Sequence, residues 1–300
     1  MGILLDGASR VLAVAATGPY GTAQLRSMLA AGTQLTGVVA LGRGGQVVEG
    51  LPVFDGVAQA VEGTGADSAI VYAPPMGVRG AVIECADAGL KLAVAVAEYV
   101  PVHDTLYAAA YARERSLRLI GPNTVGMAVP GVGVLGSIAP AFTMPGRIGL
   151  IGRSGTLLLT TARMLTQASI GQSALVHIGG DTIAGTNPHE LLELFLADPE
   201  TAAVIYLGEI GGGKEYRLAE VVARAGKPVA ALVVGRYAPA EKKMGHAGAL
   251  VESRRETAEA KCEALAEAGA HVCNSPMELV ARMKDVLKRA GRATEAVPCT

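Results

Sequence analysis

The chain is built from short apolar segments that alternate with segments of helical spacing. The apolar segments are rich in Val, Ile, Leu and Ala without polar alternation, which indicates strands buried on both faces. Such strands, separated by helices, predict an α/β fold with parallel, doubly wound sheets. In the first half, the predicted strands are Val11–Ala16, Leu35–Leu41, Ser68–Pro74, Lys91–Glu98 and Arg118–Asn123. The predicted helices are Thr22–Ala31, Asp55–Glu62, Val78–Ala88 and Thr105–Glu114.

The alternation lapses once, between Ala128 and Gly146. Three prolines, four glycines and no charged residue in this stretch predict a connector, residues 128–146, between domains at 1–127 and 147–300. Beyond it, the predicted strands are Arg147–Gly152, Ser173–Ile178, Ala202–Gly208, Pro228–Val234 and His271–Asn274. The predicted helices are Thr156–Gln167, Pro188–Leu196, Lys214–Ala225, Thr257–Ala268 and Pro276–Ala290.

Composition narrows the class of protein. Half of the 300 residues are hydrophobic and 18% are charged, so the chain can bury a large core. A net charge of −1, no Trp and 3 Phe argue against binding to nucleic acid. The start of the chain resembles no targeting sequence, and apolar stretches such as Leu92–Ala97 are too short to span a bilayer. We therefore expect a soluble, cytoplasmic protein, and the four cysteines have no spacing that predicts a metal site.

Two turns in the first half could bind phosphate. The turn Thr17–Thr22 follows the first strand and is rich in glycine, as in turns that direct backbone N–H groups and a helix N-terminus towards phosphate. It lacks the full G-x-G-x-x-G spacing, and a plain tight turn is the alternative. Arg43 follows the second strand and offers a planar fork of donors to a phosphate. The alternative for Arg43 is an ordinary surface arginine.

Three turns in the second half also follow strands. Gly152–Leu157 opens a helix, where Ser154 or Thr156 either caps the helix or helps to bind an anion. Gly179–Asp181 and Gly208–Gly212 follow the next two strands. All these turns lie at the carboxyl ends of strands, which is where open α/β sheets bind ligands.

The segment Lys242–Leu250 holds a histidine, His246, between small residues after an apolar strand. Neutral imidazole is a nucleophile near pH 7, so an accessible histidine can accept and donate a phosphoryl group. Glu209 follows a buried strand and could accept a hydrogen bond from His246, which would set the ring nitrogen that is free to attack. The alternative is that Glu209 lies near a helix N-terminus without a catalytic role.

Taken together, the motifs resemble the alpha subunit of succinyl-CoA synthetase. The specific parts are Gly208–Gly212 and Met244–Ala249, and the likeness extends from Met1 to about Arg289 with almost no insertions. Supporting matches are Ile3–Asp6, Leu51–Phe54, Asp87–Leu92, Gly121–Asn123 and Gly179–Asp181. The resemblance implies a Rossmann-like CoA-binding domain followed by a flavodoxin-like doubly wound domain. It also implies formation of acyl-CoA from a carboxylic acid, CoA and ATP or GTP through a phosphohistidine.

The resemblance also implies roles for particular residues. His246 takes the place of the phosphorylated histidine, and Glu209 that of the carboxylate that supports it. The implied CoA ligands are Thr17, Gly18, Pro19, Tyr20, Arg43, Val96, Ala97 and Glu98. The implied phosphate or acid site comprises Ser154, Gly155, Thr156 and Leu159. The family binds its nucleotide in a separate ATP-grasp beta subunit, so Mg²⁺ is expected with ATP or GTP, held mainly by that partner.

Two departures from the family pattern bear on the substrate. Arg43 replaces a usual lysine and keeps its charge, so CoA binding is still expected. Leu159 replaces a tyrosine that contacts the carboxylic acid. The acid could therefore be malate, citrate or another dicarboxylate instead of succinate. An alternative of another class is a CoA-binding regulatory protein without catalytic activity. The presence of both His246 and Glu209 is evidence against it.

Overall fold

The structure is a computed structural model that describes residues 3–238, 244, 246 and 248–295, with side chains up to residue 289. Gly245 and Ala247 of the predicted histidine loop, and Lys242 and Lys243 before it, lie outside these residues. The chain divides into two compact units, Met1–Pro140 with Val176–Asn187 and Ala141–Leu175 with Pro188–Thr300. The functional domains at 1–127 and 147–300 remain a prediction.

The first nine strands and first four helices belong to the first unit. The strands are β1 (Val11–Val14), β2 (Leu35–Val39), β3 (Val47–Val48), β4 (Leu51–Phe54), β5 (Ser68–Val71), β6 (Leu92–Ala95), β7 (Arg118–Ile120), β8 (Gly126–Val129) and β9 (Gly133–Gly136). The helices are α1 (Pro19–Ala30), α2 (Val57–Thr64), α3 (Val78–Asp87) and α4 (Val102–Glu114).

Strands β1 to β7 form one sheet in the order β3-β4-β2-β1-β5-β6-β7. All the pairings are parallel except that of β3 with β4 at the edge. Without the edge strand β3, this is the 3-2-1-4-5-6 order of a Rossmann fold, in which the order reverses beside β1. The predicted Rossmann-like arrangement is confirmed.

Burial explains why the strand segments are uninterrupted apolar runs. Every residue of β1, β5 and β6 is buried, as expected for strands covered on both faces by helices. Helix α1 packs closely on the turn after β1. A Cβ atom added at Gly21 would lie only 2.6 Å from the Cα of Ala16, so this position requires glycine. Residues 128–146, predicted as a connector, include most of the antiparallel pair β8–β9.

The remaining elements follow the same alternation. The strands are β10 (Pro145–Gly152), β11 (Gln172–His177), β12 (Ala203–Glu209), β13 (Val229–Val234) and β14 (His271–Val272). The helices are α5 (Gly155–Gln167), α6 (Pro188–Ala197), α7 (Lys214–Val222), α8 (Ala258–Glu267) and α9 (Pro276–Glu295). Within the described residues, none of the helices is long and apolar enough to cross a membrane.

These five strands lie in the order β14-β13-β12-β10-β11. Numbered by their occurrence along the chain, this is the 2-1-3-4-5 order of flavodoxin-like sheets, and the predicted doubly wound second fold is confirmed. Helix α5 packs with α9, whereas α7 packs with both α6 and α8. The strand order reverses between β10 and β12, so a ligand is expected at their carboxyl ends.

Candidate active site

The carboxyl ends of β10 and β12 form the centre of the candidate site. The two strands pair in parallel, with Gly152 opposite Leu207, so the residues that follow each strand emerge side by side. Helix α5 begins three residues after β10, and α7 begins five residues after β12. Two helix N-termini therefore start at this point of the sheet, and the partial positive charge of a helix N-terminus favours anions such as phosphate.

The predicted phosphate-site residues lie at the start of α5. Ser154 is the N-cap, and its hydroxyl accepts a hydrogen bond from the backbone N–H of Leu157 at 3.4 Å. Gly155 is buried, the side chain of Thr156 is exposed, and Leu159 is half-buried. Of the two possibilities left open by the sequence, capping by Ser154 is therefore present. A role for any of these four residues in binding phosphate or acid remains a prediction.

His246 and Glu209 are in direct contact. Nδ1 of His246 lies 2.8 Å from Oε2 of Glu209, the residue that ends β12. The histidine side chain is 34% exposed and the glutamate only 6%, so a buried carboxylate supports a ring that reagents can reach. An ionised carboxylate only accepts hydrogen bonds, so Nδ1 must carry the proton. In the neutral ring, the lone pair then lies on Nε2.

A buried set of charged groups lies behind Glu209. Nη2 of Arg153 is 3.3 Å from Oε1 of Glu209. The two groups form an ion pair, but the N–H of Arg153 is not aligned for a hydrogen bond to this oxygen. Nη1 of Arg153 is 3.2 Å from Oε1 of Glu215, which also accepts a hydrogen bond from the Tyr206 hydroxyl at 2.6 Å. Nζ of Lys261 is 2.7 Å from Oε2 of Glu215. We call Arg153, Tyr206, Glu215 and Lys261 the buried cluster, because each side chain is at most 1% exposed.

The buried cluster keeps its charges. Burial acts to raise the pKa of Glu215, but the charges of Arg153 and Lys261 outweigh it and hold that pKa below its usual value. Burial lowers the pKa of Lys261, against the attraction of Glu215. Burial, with the Glu215 charge beside it, raises the pKa of Tyr206 well above its usual value. The tyrosine therefore remains a neutral donor to an ionised Glu215.

The same cations bind the backbone around Glu209. Nη1 of Arg153 donates to the carbonyls of Glu209 and Gly211 at 3.3 and 3.1 Å. Nζ of Lys261 donates to the same two carbonyls at 2.8 and 2.7 Å. Gly211 has a φ of +84°, and a Cβ there would overlap the carbonyl of Gly248. The turn after β12 is thus held by buried cations on one side, and the end of the histidine segment packs directly on it.

The buried cluster was not predicted from the amino-acid sequence. Arg153 comes directly after β10, and Glu209 is the last residue of the neighbouring strand β12. Their opposite charges at the ends of adjacent strands were the one sequence feature that could have predicted their contact. Glu215 lies on α7 and Lys261 on α8, in helices that hold several other charged residues. Nothing in those helical patterns separates them from surface charges.

A cavity of about 420 Å³ adjoins Glu209. Its polar side chains include Glu209 and Arg236, which follows β13, and most of its other walls are apolar. The apolar side chains lining it are Ile210, Val234, Ala238, Met244 and Ala249. A small molecule bound there would lie against the carboxylate that supports His246.

In the first unit, the predicted CoA ligands follow three strands of one sheet. Thr17, Gly18, Pro19 and Tyr20 follow β1, Arg43 follows β2, and Val96, Ala97 and Glu98 follow β6. Because these strands are parallel, the structure brings all eight residues to the carboxyl edge of the sheet. This is the edge at which the strand order reverses and ligands are expected. Their contacts with CoA remain a prediction.

The local structure at this edge is compatible with a phosphate-bearing ligand. Helix α1 begins with Gly18 as N-cap and no side-chain cap, so its N-terminal amides face no competing carboxylate or hydroxyl of a cap residue. Arg43 is exposed, and the carboxylate of Asp55 accepts its backbone N–H at 3.0 Å, which orders its loop. Within the described residues, the buried hydroxyl of Tyr72, after β5, has no hydrogen-bond partner. A ligand could supply one.

Comparison with known proteins identifies the family. Residues 8–99 match the family of CoA binding domains, and residues 151–271 match the CoA-ligase family. A succinate–CoA ligase (ADP-forming) alpha subunit from Archaeoglobus fulgidus is 41% identical over 286 residues, which are 95% of this chain and 98% of that relative. The chain belongs to the family of succinate–CoA ligase alpha subunits. The resemblance inferred from the motifs is thereby confirmed.

A second relative and a solved structure are also similar to this chain. The succinate–CoA ligase (ADP-forming) alpha subunit of Aquifex aeolicus is 38% identical over 291 residues, 96% of this chain and 95% of that relative. The structure of ATP citrate lyase from Methanothrix soehngenii, in complex with citrate and coenzyme A, matches with a TM-score of 0.84 at 26% identity. That match covers 96% of this chain but 52% of the lyase chain, so this chain spans about half the length of that protein.

Proposed function

We propose that the chain is the alpha subunit of a nucleoside-diphosphate-forming acid–CoA ligase and that His246 carries the phosphoryl group between substrates. The observation that carries this proposal is the 2.8 Å contact between His246 Nδ1 and Glu209, at the point where the strand order of the second sheet reverses. An ionised Glu209 favours the ring tautomer that has its proton on Nδ1 and its lone pair on Nε2. A pure binding protein would have no use for a nucleophile prepared in this way.

The reaction then proceeds in three transfers. Nε2 of His246 attacks the terminal phosphorus of the nucleoside triphosphate, and the nucleoside diphosphate leaves. A carboxylate oxygen of the acid takes the phosphoryl group from the histidine, which gives an acyl phosphate. The thiolate of CoA attacks the acyl carbon, and inorganic phosphate leaves as the thioester forms. Glu209 balances the positive charge of the phosphorylated ring, and the N-termini of α5 and α7 favour the phosphoryl oxygens.

The remaining parts of the enzyme are assigned by family membership and local chemistry. CoA binds at the carboxyl edge of the first sheet, where the N-terminus of α1 and the charge of Arg43 suit its phosphates. The relatives are named alpha subunits, which supports a partner subunit, and we assign nucleotide binding to an ATP-grasp beta subunit. Mg²⁺ accompanies the nucleotide and is held mainly by that partner. We place no magnesium ligand in this chain.

The acid is a small carboxylic acid, with succinate as the first candidate because the relatives are named for it. Leu159 favours a second candidate, a different dicarboxylate such as malate or citrate. Its half-buried side chain on α5 offers no hydroxyl to a carboxylate. Loss of one such hydrogen bond costs roughly 1–3 kcal/mol when its partner remains buried, enough to change the preferred acid.

The proposal is tested by following phosphate onto the chain. The full chain, co-expressed with its beta subunit, is incubated with labelled ATP, and the labelled residue is located by mass spectrometry. We expect labelling at His246 that is stable in alkali and lost in acid, and no labelling of His246→Asn. The matched control is His271→Asn, an exposed histidine on β14, which should be labelled normally. Label elsewhere, or turnover by His246→Asn, would overturn the proposal.

The identity of the acid is tested in the same complex. Succinate, malate and citrate are screened for CoA-dependent release of ADP from ATP. Turnover with succinate supports the first candidate, and turnover only with another dicarboxylate supports the second. A chain that binds CoA but never accepts phosphate would instead be the non-catalytic regulatory protein.

A further inference from the structure

The buried cluster and Glu209 form a charge-balanced unit. Two cations, Arg153 and Lys261, face two carboxylates, Glu209 and Glu215, with Tyr206 as a neutral donor. A buried ion pair is weak support for stability, because well-packed apolar side chains often stabilise a fold as well or better. Stability alone therefore does not explain why these charged side chains are buried together. Their position, directly behind the carboxylate that contacts His246, points to another explanation.

The fork of Arg153 divides its two ends between the two carboxylates. Nη2 faces Oε1 of Glu209, and Nη1 faces Glu215 and the carbonyls of Glu209 and Gly211. With Oε1 held in this way, Oε2 of Glu209 is the oxygen directed to the histidine. A lysine has a single ammonium group and could not face both carboxylates at these positions.

The other members of the cluster fix Arg153 itself. Glu215 is held by Lys261 at 2.7 Å and by the Tyr206 hydroxyl at 2.6 Å, so its Oε1 is a rigid anchor for Nη1. Lys261 also shares with Arg153 the two carbonyls of the turn after β12. Arg153 thus contacts both the side chain and the backbone carbonyl of Glu209, and Lys261 contacts the same carbonyl.

We propose that Arg153 is a positioning residue for His246. By holding Oε1 of Glu209, it directs Oε2 to Nδ1 and so selects the ring tautomer that has its lone pair on Nε2. This inference rests on the proposed function, in which Nε2 accepts the phosphoryl group. Arg153 touches neither substrate nor phosphate in this role and acts only through Glu209.

The decisive measurement is the tautomer of the His246 ring. In the full chain labelled with ¹⁵N-histidine, nitrogen NMR distinguishes a protonated ring nitrogen from one with a lone pair, and His246→Asn assigns the signals. We expect protonated Nδ1 in the unchanged chain and a mixture of the two tautomers in Arg153→Lys. In the complex with the beta subunit, phosphorylation of Arg153→Lys should slow by about 10- to 100-fold, since a misplacement of about 1 Å can cost about 100-fold.

A control variant separates positioning from loss of stability. Lys227 is half-buried and donates to the carbonyls of Phe195 and Asp198, just before the amino end of β13. Lys227→Met removes a cation from two carbonyls, as a change at Lys261 would, but away from the site. We expect Lys227→Met to lower the urea midpoint without altering the tautomer or the rate of phosphorylation.

A double variant tests whether Arg153 acts through Glu209. If it does, Arg153→Lys should slow phosphorylation by less than about threefold once Glu209→Gln is present. Equal slowing in both backgrounds, or an unchanged tautomer in folded Arg153→Lys, overturns the inference. If Arg153→Lys does not fold, Tyr206→Phe replaces it, because it deletes only the hydroxyl that anchors Glu215. A tautomer shift in the same direction supports the inference, and its absence overturns it.

The two proposals fail in different ways. If the tautomer depends on Arg153 but the unchanged complex never accepts phosphate, the proposed function is wrong and positioning stands. If His246 is phosphorylated but its tautomer and rate are independent of Arg153, only the positioning role is wrong.

Discussion

Replacing Glu209 by glutamine removes one negative charge from a position 2.8 Å from Nδ1 of His246 while keeping the size of the side chain. In the unchanged protein, the carboxylate accepts the Nδ1 proton and faces a ring that becomes positive as Nε2 attacks phosphorus. The amide of glutamine carries no charge. It can also turn its NH₂ group to Nδ1, which would move the ring proton to Nε2 and block attack.

The size of the effect follows from burial and distance. Glu209 is 6% exposed, so water screens its charge only weakly. Hydrogen bonds to charged groups contribute about 1.5–3 kcal/mol, and two charges about 4 Å apart interact by about 4 kcal/mol at an effective dielectric constant of about 20. We therefore expect a loss of about 2–4 kcal/mol in the transition state. At 1.36 kcal/mol per factor of ten, phosphorylation of His246 slows by about 30- to 1000-fold.

The assay is single-turnover phosphorylation of the chain by labelled ATP in the complex with the beta subunit. The matched control is Glu193→Gln, the same change in a glutamate that pairs with Arg224 at 2.5 Å, with side chains 52% and 65% exposed. Surface pairs contribute little, so this control should keep the original rate. If Glu209→Gln slows the reaction less than about threefold, the carboxylate does not support His246 and the reasoning is wrong.

Three further predictions concern the surroundings of the two sites. Gly21→Ala should lower the free energy of unfolding by about 1–3 kcal/mol and weaken CoA binding in calorimetry, because the added Cβ meets the backbone of Ala16. Gly211→Ala should slow phosphorylation more than it weakens CoA binding, because its Cβ would displace Gly248 and the histidine segment; equal effects on both would contradict this. Because the pKa of Glu215 is lowered in the folded chain, its contribution to stability is present above the unfolded-state pKa and lost as pH falls through the folded value. Urea titrations between about pH 6 and pH 3 should therefore show a smaller loss of stability for Glu215→Gln than for the unchanged chain.

The sequence predicted most strands of both sheets because these strands are buried on both faces. Such strands are short, uninterrupted apolar segments, a pattern that few other elements of structure share. The sequence did not predict β3, β4, β8 and β9. These strands have two to four residues each, and Pro52 in β4 cannot donate to a ladder. Both β8 and β9 begin with glycine and β9 also ends with one, a pattern more typical of loops than of strands. The antiparallel pairs that they form depend on neighbours that no local pattern reveals.

Helix starts were also displaced by a few residues. Helix α1 begins at Pro19 instead of the predicted Thr22, and α4 begins at Val102 instead of Thr105. In both helices, a proline lies at or just before the first turn, where its fixed φ suits the start of a helix. Using these prolines as signals of a helix start would have placed both predicted boundaries within one residue of the observed ones.

The amino-acid sequence by itself determined the α/β architecture, the edge of each sheet that carries the turns, and the pairing of His246 with Glu209 as candidate partners. These follow from the period of the apolar residues and from the chain position at which each strand ends. Only the tertiary structure decided that Arg153, Glu215 and Lys261 meet behind Glu209. The sequence of a helix does not show whether a given charged residue faces water or the interior. Glu215 and Lys261 are buried because α7 and α8 pack together beside the end of β12.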